Sequence, residues 1–215
     1  MDQFKTLKNH VYDFIAEQIF LGKINPGEKI HENQICESLS VSRTPVREAL
    51  IELSCFGVID NIPRKGFVVR NLTLEDLAER YTTIGVLEGE AAAIACPKLD
   101  DRDLADMKFY LESMNLAITQ GNYNMYHKQQ EIFHQIFIQK CGNKVLIETL
   151  ENLKKPLLKR DFNEDLHPDI KDILLETNKE HKNIYELFFK RDSKGVSDYL
   201  KDVHWRSHQA QFEVL

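Results

Sequence analysis

Two short runs rich in β-branched and aromatic residues, Val58-Ile59-Asp60 and Phe67-Val68-Val69, flank Pro63-Arg64-Lys65-Gly66 and read as a two-stranded hairpin. Helical periodicity runs almost everywhere else in this 215-residue chain, so the hairpin divides it. Three short helices come before it. Leu7, Val11, Phe14, Ile15, Gln18 and Ile19 trace a first helical face, ended by Asn25-Pro26-Gly27. A second helix fits Glu32–Leu39. A third opens at Ser42, a residue suited to an N-cap, keeps Pro45 inside its first turn and stops at Gly57. Val46, Ala49, Leu50 and Leu53 form its packed face, and Cys36 and Cys55 read as small buried residues.

After the hairpin the helices lengthen. Thr73 and Asp76 resemble a capping box that opens a helix running to about Cys96, where Pro97 stops it. Further helices fit 100–120, 123–141, 144–160, 169–190 and 193–212, with breaks at Gly121, Cys141-Gly142-Asn143, His167-Pro168 and Arg191-Asp192-Ser193. The expected fold is mainly α. Residues 1–70 form a winged helix-turn-helix with a small β-hairpin wing, and residues 71–215 form an all-α helical bundle.

Composition narrows the function. Hydrophobic residues make up 42% and charged residues 29%, a globular balance, and the mean hydropathy is -0.41. No apolar run approaches the length a bilayer span requires, and the N-terminus lacks the apolar core of a secretory signal. Cys36, Cys55, Cys96 and Cys141 are far apart, without a C-x-x-C pair, which suits a reducing cytoplasm. The net charge of -6 argues against nucleic acid only globally. Residues 1–70 hold nine basic and nine acidic side chains, leaving 19 and 25 for the remainder, so the acidity belongs to the second part.

In a winged helix-turn-helix the second helix of the pair lies in the major groove with its N-terminal residues at the base edges. Here that end carries Ser42, Arg43, Thr44 and Arg47. Arg43 and Arg47, four apart, share one face; a guanidinium bonds two acceptors on guanine, while hydroxyls suit phosphate oxygens. Arg64 and Lys65 add two cations at the hairpin tip, and Gly66 permits close backbone approach.

The string Gly22-Lys23-Ile24-Asn25-Pro26-Gly27-Glu28-Lys29-Ile30, then Val41-Ser42-Arg43-Thr44-Pro45-Val46-Arg47-Glu48-Ala49-Leu50, then Gly57 and Arg64-Lys65-Gly66, resembles the GntR family of bacterial transcription regulators over nearly all of residues 5–70. The resemblance implies DNA contacts at Arg43, Thr44, Arg47 and Gly66, with Asn33 matching a further contact position often held by Arg.

Six histidines follow the hairpin: His127, His134, His167, His181, His204 and His208. His134, His181 and His204 each sit among apolar residues on separate helices, and facing helices of a bundle can converge such ligands. Neutral imidazoles suit Zn²⁺, Ni²⁺ or a related ion. His208 reads as solvent-facing and His167 as a loop residue. Tyr123, Tyr126, Phe133, Phe137, Tyr185, Phe188 and Phe189 are mostly core by spacing, and Lys154-Lys155 and Lys159-Arg160 a solvated helix face.

From about Leu72 onward the chain resembles the FadR-type effector-binding (FCD) domain in its shorter, VanR-like class. The resemblance implies a metal held by an Asp and a His four apart plus two later histidines, here His134, His181 and His204, forming an effector pocket together with residue 130. The Asp position is Gln130, a neutral and weaker ligand; Glu131, three residues before His134, is the candidate substitute. His127, seven residues before His134, lies about 10 Å away along a helix, too far to share the ion. Many members place Arg where this chain has Ile84, four residues ahead of the Glu matched by Glu88, and such members often sense small carboxylic acids.

The leading reading is a cytoplasmic, homodimeric regulator, not an enzyme, that binds a two-fold symmetric double-stranded operator. A small-molecule effector, such as a carboxylic acid, bound beside a metal in the helical domain would control operator affinity, by family habit as a repressor. The alternative is a metal-dependent hydrolase using the three histidines, with Glu131 and Glu180 as candidate bases, but no nucleophile elbow, phosphate-binding glycine loop or H-E-x-x-H motif accompanies them. A winged helix that binds protein instead of DNA is the third reading.

Overall fold

A computed structural model of the chain describes residues 6–155, 157 and 169–206, the side chain of Phe20 excepted. It divides into two compact units, Met1–Thr73 with Asn152–Asp161 and Leu74–Glu151 with Phe162–Leu215.

In the first unit, α1 (Leu7–Phe20) begins where the Thr6 hydroxyl accepts a bond from the Asn9 amide at 3.2 Å. α2 (Glu32–Leu39) and α3 (Arg43–Cys55) follow the expected positions. Ser42 occupies the N-cap of α3 with extended backbone, but its side chain makes no capping bond. β1 (Ile59–Ile62) and β2 (Gly66–Val69) pair antiparallel, with Ile59 opposite Val69 and Ile62 opposite Gly66. The free edge of β2 is covered by residues 27–30: Gly27 and Ile30 donate to the Val69 and Phe67 carbonyls at 2.8 Å, and the Val69 amide donates to Glu28 at 2.9 Å. The glycine-proline turn of the first helix exit therefore becomes sheet edge. Val11, Ile15, Ile35, Val46, Leu50, Leu53, Ile59 and Phe67 are among the side chains of the core beneath. Cys36 is half-buried and Cys55 exposed, against expectation; Cys55 ends α3 on the side away from the buried Val46–Leu53 stripe.

The second unit is helical: α4 (Leu74–Ala95), a 3₁₀ turn (Cys96–Lys98), α5 (Asp101–Thr119), α6 (Tyr123–Cys141), α7 (Lys144–Lys154) except its last three residues, which belong to the first unit, α8 (Ile170–Phe189), α9 (Ser193–Tyr199) and a π-helical turn (Leu200–His204). Asp100 and Asp103 close a capping box at the start of α5. α4 carries Gly85 and Gly89 on its buried face, and they let α9 and the π turn pack closely. A Cβ on Gly89 would lie 2.8 Å from the Ser197 carbonyl oxygen, and one on Gly85 would lie 2.9 Å from Trp205 Cβ.

Three expectations change here. α7 ends at Lys154 rather than near 160, and Lys154 and Lys155 are half-buried. The last helix, expected over 193–212, gives way at Leu200 to the π turn. Phe189 is exposed, because it follows the inward-facing Phe188 by one residue at the end of α8, whereas Tyr123, Tyr126, Phe133, Phe137 and Phe188 are buried and Tyr185 is half-buried. His167, His208 and Lys159-Arg160 lie outside the described residues.

Candidate nucleic-acid interface and metal centre

The first turn of α3 separates two faces. Pro45, Val46, Ala49 and Leu50 are buried, while Ser42, Arg43, Thr44 and Arg47 are exposed. Asn33, on α2, is exposed as well. Arg47 stays two-thirds exposed (66%) although its Nε lies 3.4 Å from a Glu32 carboxylate oxygen, a solvated pair worth little and readily exchanged for a stronger acceptor.

At the hairpin tip Pro63 sets the first corner of a turn closed by the Lys65 amide donating to Ile62 at 3.1 Å. The second corner falls on Arg64, whose φ of 66° is left-handed, a conformation costing a non-glycine residue about 1–2 kcal/mol. Arg64 and Lys65 are both exposed there, and Gly66 is half-buried with φ 89°. A Cβ on Gly66 would meet nothing closer than Lys29 Cε at 3.6 Å, so its backbone angle, not crowding, calls for glycine.

In the second unit three elements bring imidazoles together. His134 comes from α6, His181 from α8 and His204 from the π turn; all three are buried, with one ligand atom from each lying within 4.8 Å of the others. Nε2 of His134 and Nε2 of His181 are 3.1 Å apart. His134 Nδ1 lies 3.0 Å from Glu88 Oε2 and His204 Nδ1 lies 3.1 Å from Glu180 Oε2, distances at which a ring N–H donates to a carboxylate. Trp205 Nε1 donates to the same Glu88 oxygen, and Arg206 donates to the other oxygen of Glu180 at 3.1 Å. Burial holds the His181 imidazole well below its ordinary pKa, and the neighbouring His204 and His134 push the same way.

These features fit a divalent transition metal. Neutral imidazole is the ligating form, and tetrahedral bonds of about 2.0–2.1 Å place ligand nitrogens roughly 3.3 Å apart, close to the His134–His181 spacing. The π turn contributes by geometry: one extra residue per turn re-aims the side chains at its end, His204 and Trp205.

The structure thus gathers the three histidines expected as ligands. Gln130 sits half-buried one turn before His134. Glu131 is exposed, which removes it as the substitute carboxylate: at three residues before His134 it falls outside the buried stripe of α6. Among the described residues the cluster does not include His127. Ile84 is fully buried on α4, one turn before Glu88. Sequence reasoning treated Glu180 only as a base and missed Trp205 and Arg206; the one available signal was the position of the chain's single tryptophan beside His204.

Comparison with known proteins agrees with both halves. Residues 7–69 match the model described as bacterial regulatory proteins, gntR family, and residues 79–204 match the FCD domain. The HTH-type transcriptional regulator YdhC of Bacillus subtilis is 31% identical over 159 residues, 71% of each protein. The HTH-type transcriptional repressor RspR of Escherichia coli is 24% identical over 190 residues, 88% of this chain and 82% of that one. Among solved structures, E. coli McbR/YncC superposes with a TM-score of 0.77 at 23% identity, covering 97% of both chains, a likeness of fold. No described helix is long and apolar enough to cross a membrane.

Proposed function

Because the chain belongs to the gntR family of bacterial regulatory proteins and carries an FCD domain, it is a DNA-binding transcriptional regulator rather than an enzyme, and we propose that it is a homodimeric repressor released from its operator when the helical unit takes up a small acid beside a divalent metal. The family and its relatives set the hydrolase reading aside. The name of RspR, a transcriptional repressor, supports the direction of regulation. Two copies would present two copies of α3 and two wings to a two-fold symmetric site in the cytoplasm, where the four thiols stay reduced.

On the DNA side, Arg43 and Arg47 would read guanine edges, while Asn33, Ser42, Thr44, Arg64, Lys65 and the Gly66 backbone would hold phosphates. The exposure of these side chains, with Gly66 half-buried beside them, supports this assignment.

The sensor reading rests on one observation: three buried imidazoles from three elements with their ligand atoms within 4.8 Å. His134, His181 and His204 would hold the ion, with Gln130 at the position where the resemblance places a fourth ligand. A bound divalent ion supplies positive charge and open positions to which a carboxylate can attach. The chain's own residues orient the imidazoles and exclude water. Operator affinity responds only as far as the effector prefers one state of the protein over the other.

Elemental mass spectrometry of the untagged protein tests the centre, with a His134→Ala/His181→Ala variant beside it. The expected result is near-stoichiometric metal in the wild type and none in the variant. A wild type still metal-free after incubation with Zn²⁺ or Ni²⁺ removes the metal and leaves an organic pocket.

A further inference from the structure

The ligand set has a deficit: imidazoles ligate a metal in their neutral form, and position 130 holds Gln where the resemblance places a carboxylate. A divalent ion in so dry a place would lack counter-charge. Two acids supply it one layer out. Glu88, with no exposed surface, reaches His134 Nδ1 from α4, and Glu180, also buried, reaches His204 Nδ1 from α8. We propose that Glu88 and Glu180 are the positioning residues of the metal centre and take over the electrostatic part of the missing carboxylate. This rests on the metal reading above.

The physical case has two parts. A ring whose Nδ1–H is donated to a carboxylate keeps its proton there, so Nε2 of His134 and of His204 is left as the metal-facing nitrogen, and the ring's rotation is fixed. The carboxylate also makes the imidazole a stronger donor. His181 differs, since its Nδ1 makes no well-formed hydrogen bond, although the backbone of Thr177 one turn earlier favours a proton on the ring. The two glutamates therefore carry the orientation of two ligands out of three.

The same acids tie down the end of the π turn. Trp205 bonds Glu88 and Arg206 bonds Glu180, so residues 204–206 are fastened to both supports of the site. Arg206 offsets one of the two negative charges, leaving the loaded centre with net positive charge for an anionic ligand. The tryptophan, with its ring centroid 6.1 Å from that of His134 and 5.5 Å from that of His204, is a built-in fluorescent reporter of loading.

The test uses the full chain and Zn²⁺ or Co²⁺ as the probe, with affinity measured against a chromophoric chelator, Co²⁺ absorption bands recorded, and Trp205 emission followed. Glu88→Gln and Glu180→Gln should each weaken metal binding by about 10–100-fold and alter the Co²⁺ bands, while the metal-free variants keep wild-type helical circular dichroism. Gln130→Asp, made at a half-buried position, decides the matter without depending on those variants folding. Its gain should stay below tenfold, because the charge is already present. Wild-type affinity and spectra in both glutamine variants, or a gain near a hundredfold in Gln130→Asp, overturns the proposal while leaving the metal centre standing. A wild type that takes up no metal overturns both.

Discussion

Gly89→Ala sets two quantities against each other. In a helix interior the exchange gains about 1 kcal/mol of helix propensity. In this structure the new Cβ would lie 2.8 Å from the carbonyl oxygen of Ser197 and 3.1 Å from its hydroxyl. The nearer atom is backbone, which cannot rotate away, so α9 must lift off α4. Overpacking of this kind costs about 1–3 kcal/mol. The difference is a net loss of about 1 kcal/mol, or a fall in Tm of roughly 2–4 °C for a chain of this size. The consequence reaches the site, because α9 leads into the π turn that carries His204 and Trp205, and Glu88 precedes Gly89 on α4. Thermal and urea unfolding followed by circular dichroism should show the loss, together with weaker metal uptake. A variant stabilised by the whole propensity gain would refute the close packing of α4 against α9.

On the DNA side, Arg43→Ala and Arg47→Ala should each cost about 1–3 kcal/mol of operator binding at fixed salt; full-strength binding in a gel-shift titration removes that residue from the interface. Arg64→Gly should relieve the left-handed strain yet lower the slope of log affinity against log salt by about 1, and an unchanged slope means that Arg64 meets no phosphate. For metal-free protein the sign of the pH effect follows from His181. Its native pKa is lowered, so the unfolded chain binds the extra proton; stability is complete above the unfolded value of about 6.5 and declines as pH falls below it. Urea midpoints should drop on acidification more steeply in wild type than in His181→Phe, and equal slopes would discount this histidine.

The helix pattern was legible because the breaks carry chemistry: Gly57, Pro97, Gly121 and Gly142 each stop an element by a local rule, whereas the first helix ends at Phe20 with left-handed Gly22 just beyond it, five residues before the expected Asn25-Pro26-Gly27. Where the stop was overlooked the expectation overran, as at α7, which ends two residues before Pro156 in the sequence. The errors that remain are non-local. The pairing of residues 27–30 with β2 joins segments about forty residues apart, and no local period records it. The π turn packs where Gly85 leaves room for Lys201 and Trp205, a contact with a helix more than a hundred residues earlier. The site divides the same way. His134, His181 and His204 stood out because imidazoles on apolar faces are unusual and their spacing resembles a known pattern. Glu88 and Glu180 were noted only as a matched family position and a candidate base, not as partners of the imidazoles, because an acid in a helix ordinarily reads as solvated surface. Each is buried here because a histidine on another element, 46 and 24 residues away along the chain, meets its charge. A side chain's own pattern can mark it as a ligand, whereas its role as a support exists only once the fold has brought its partner to it.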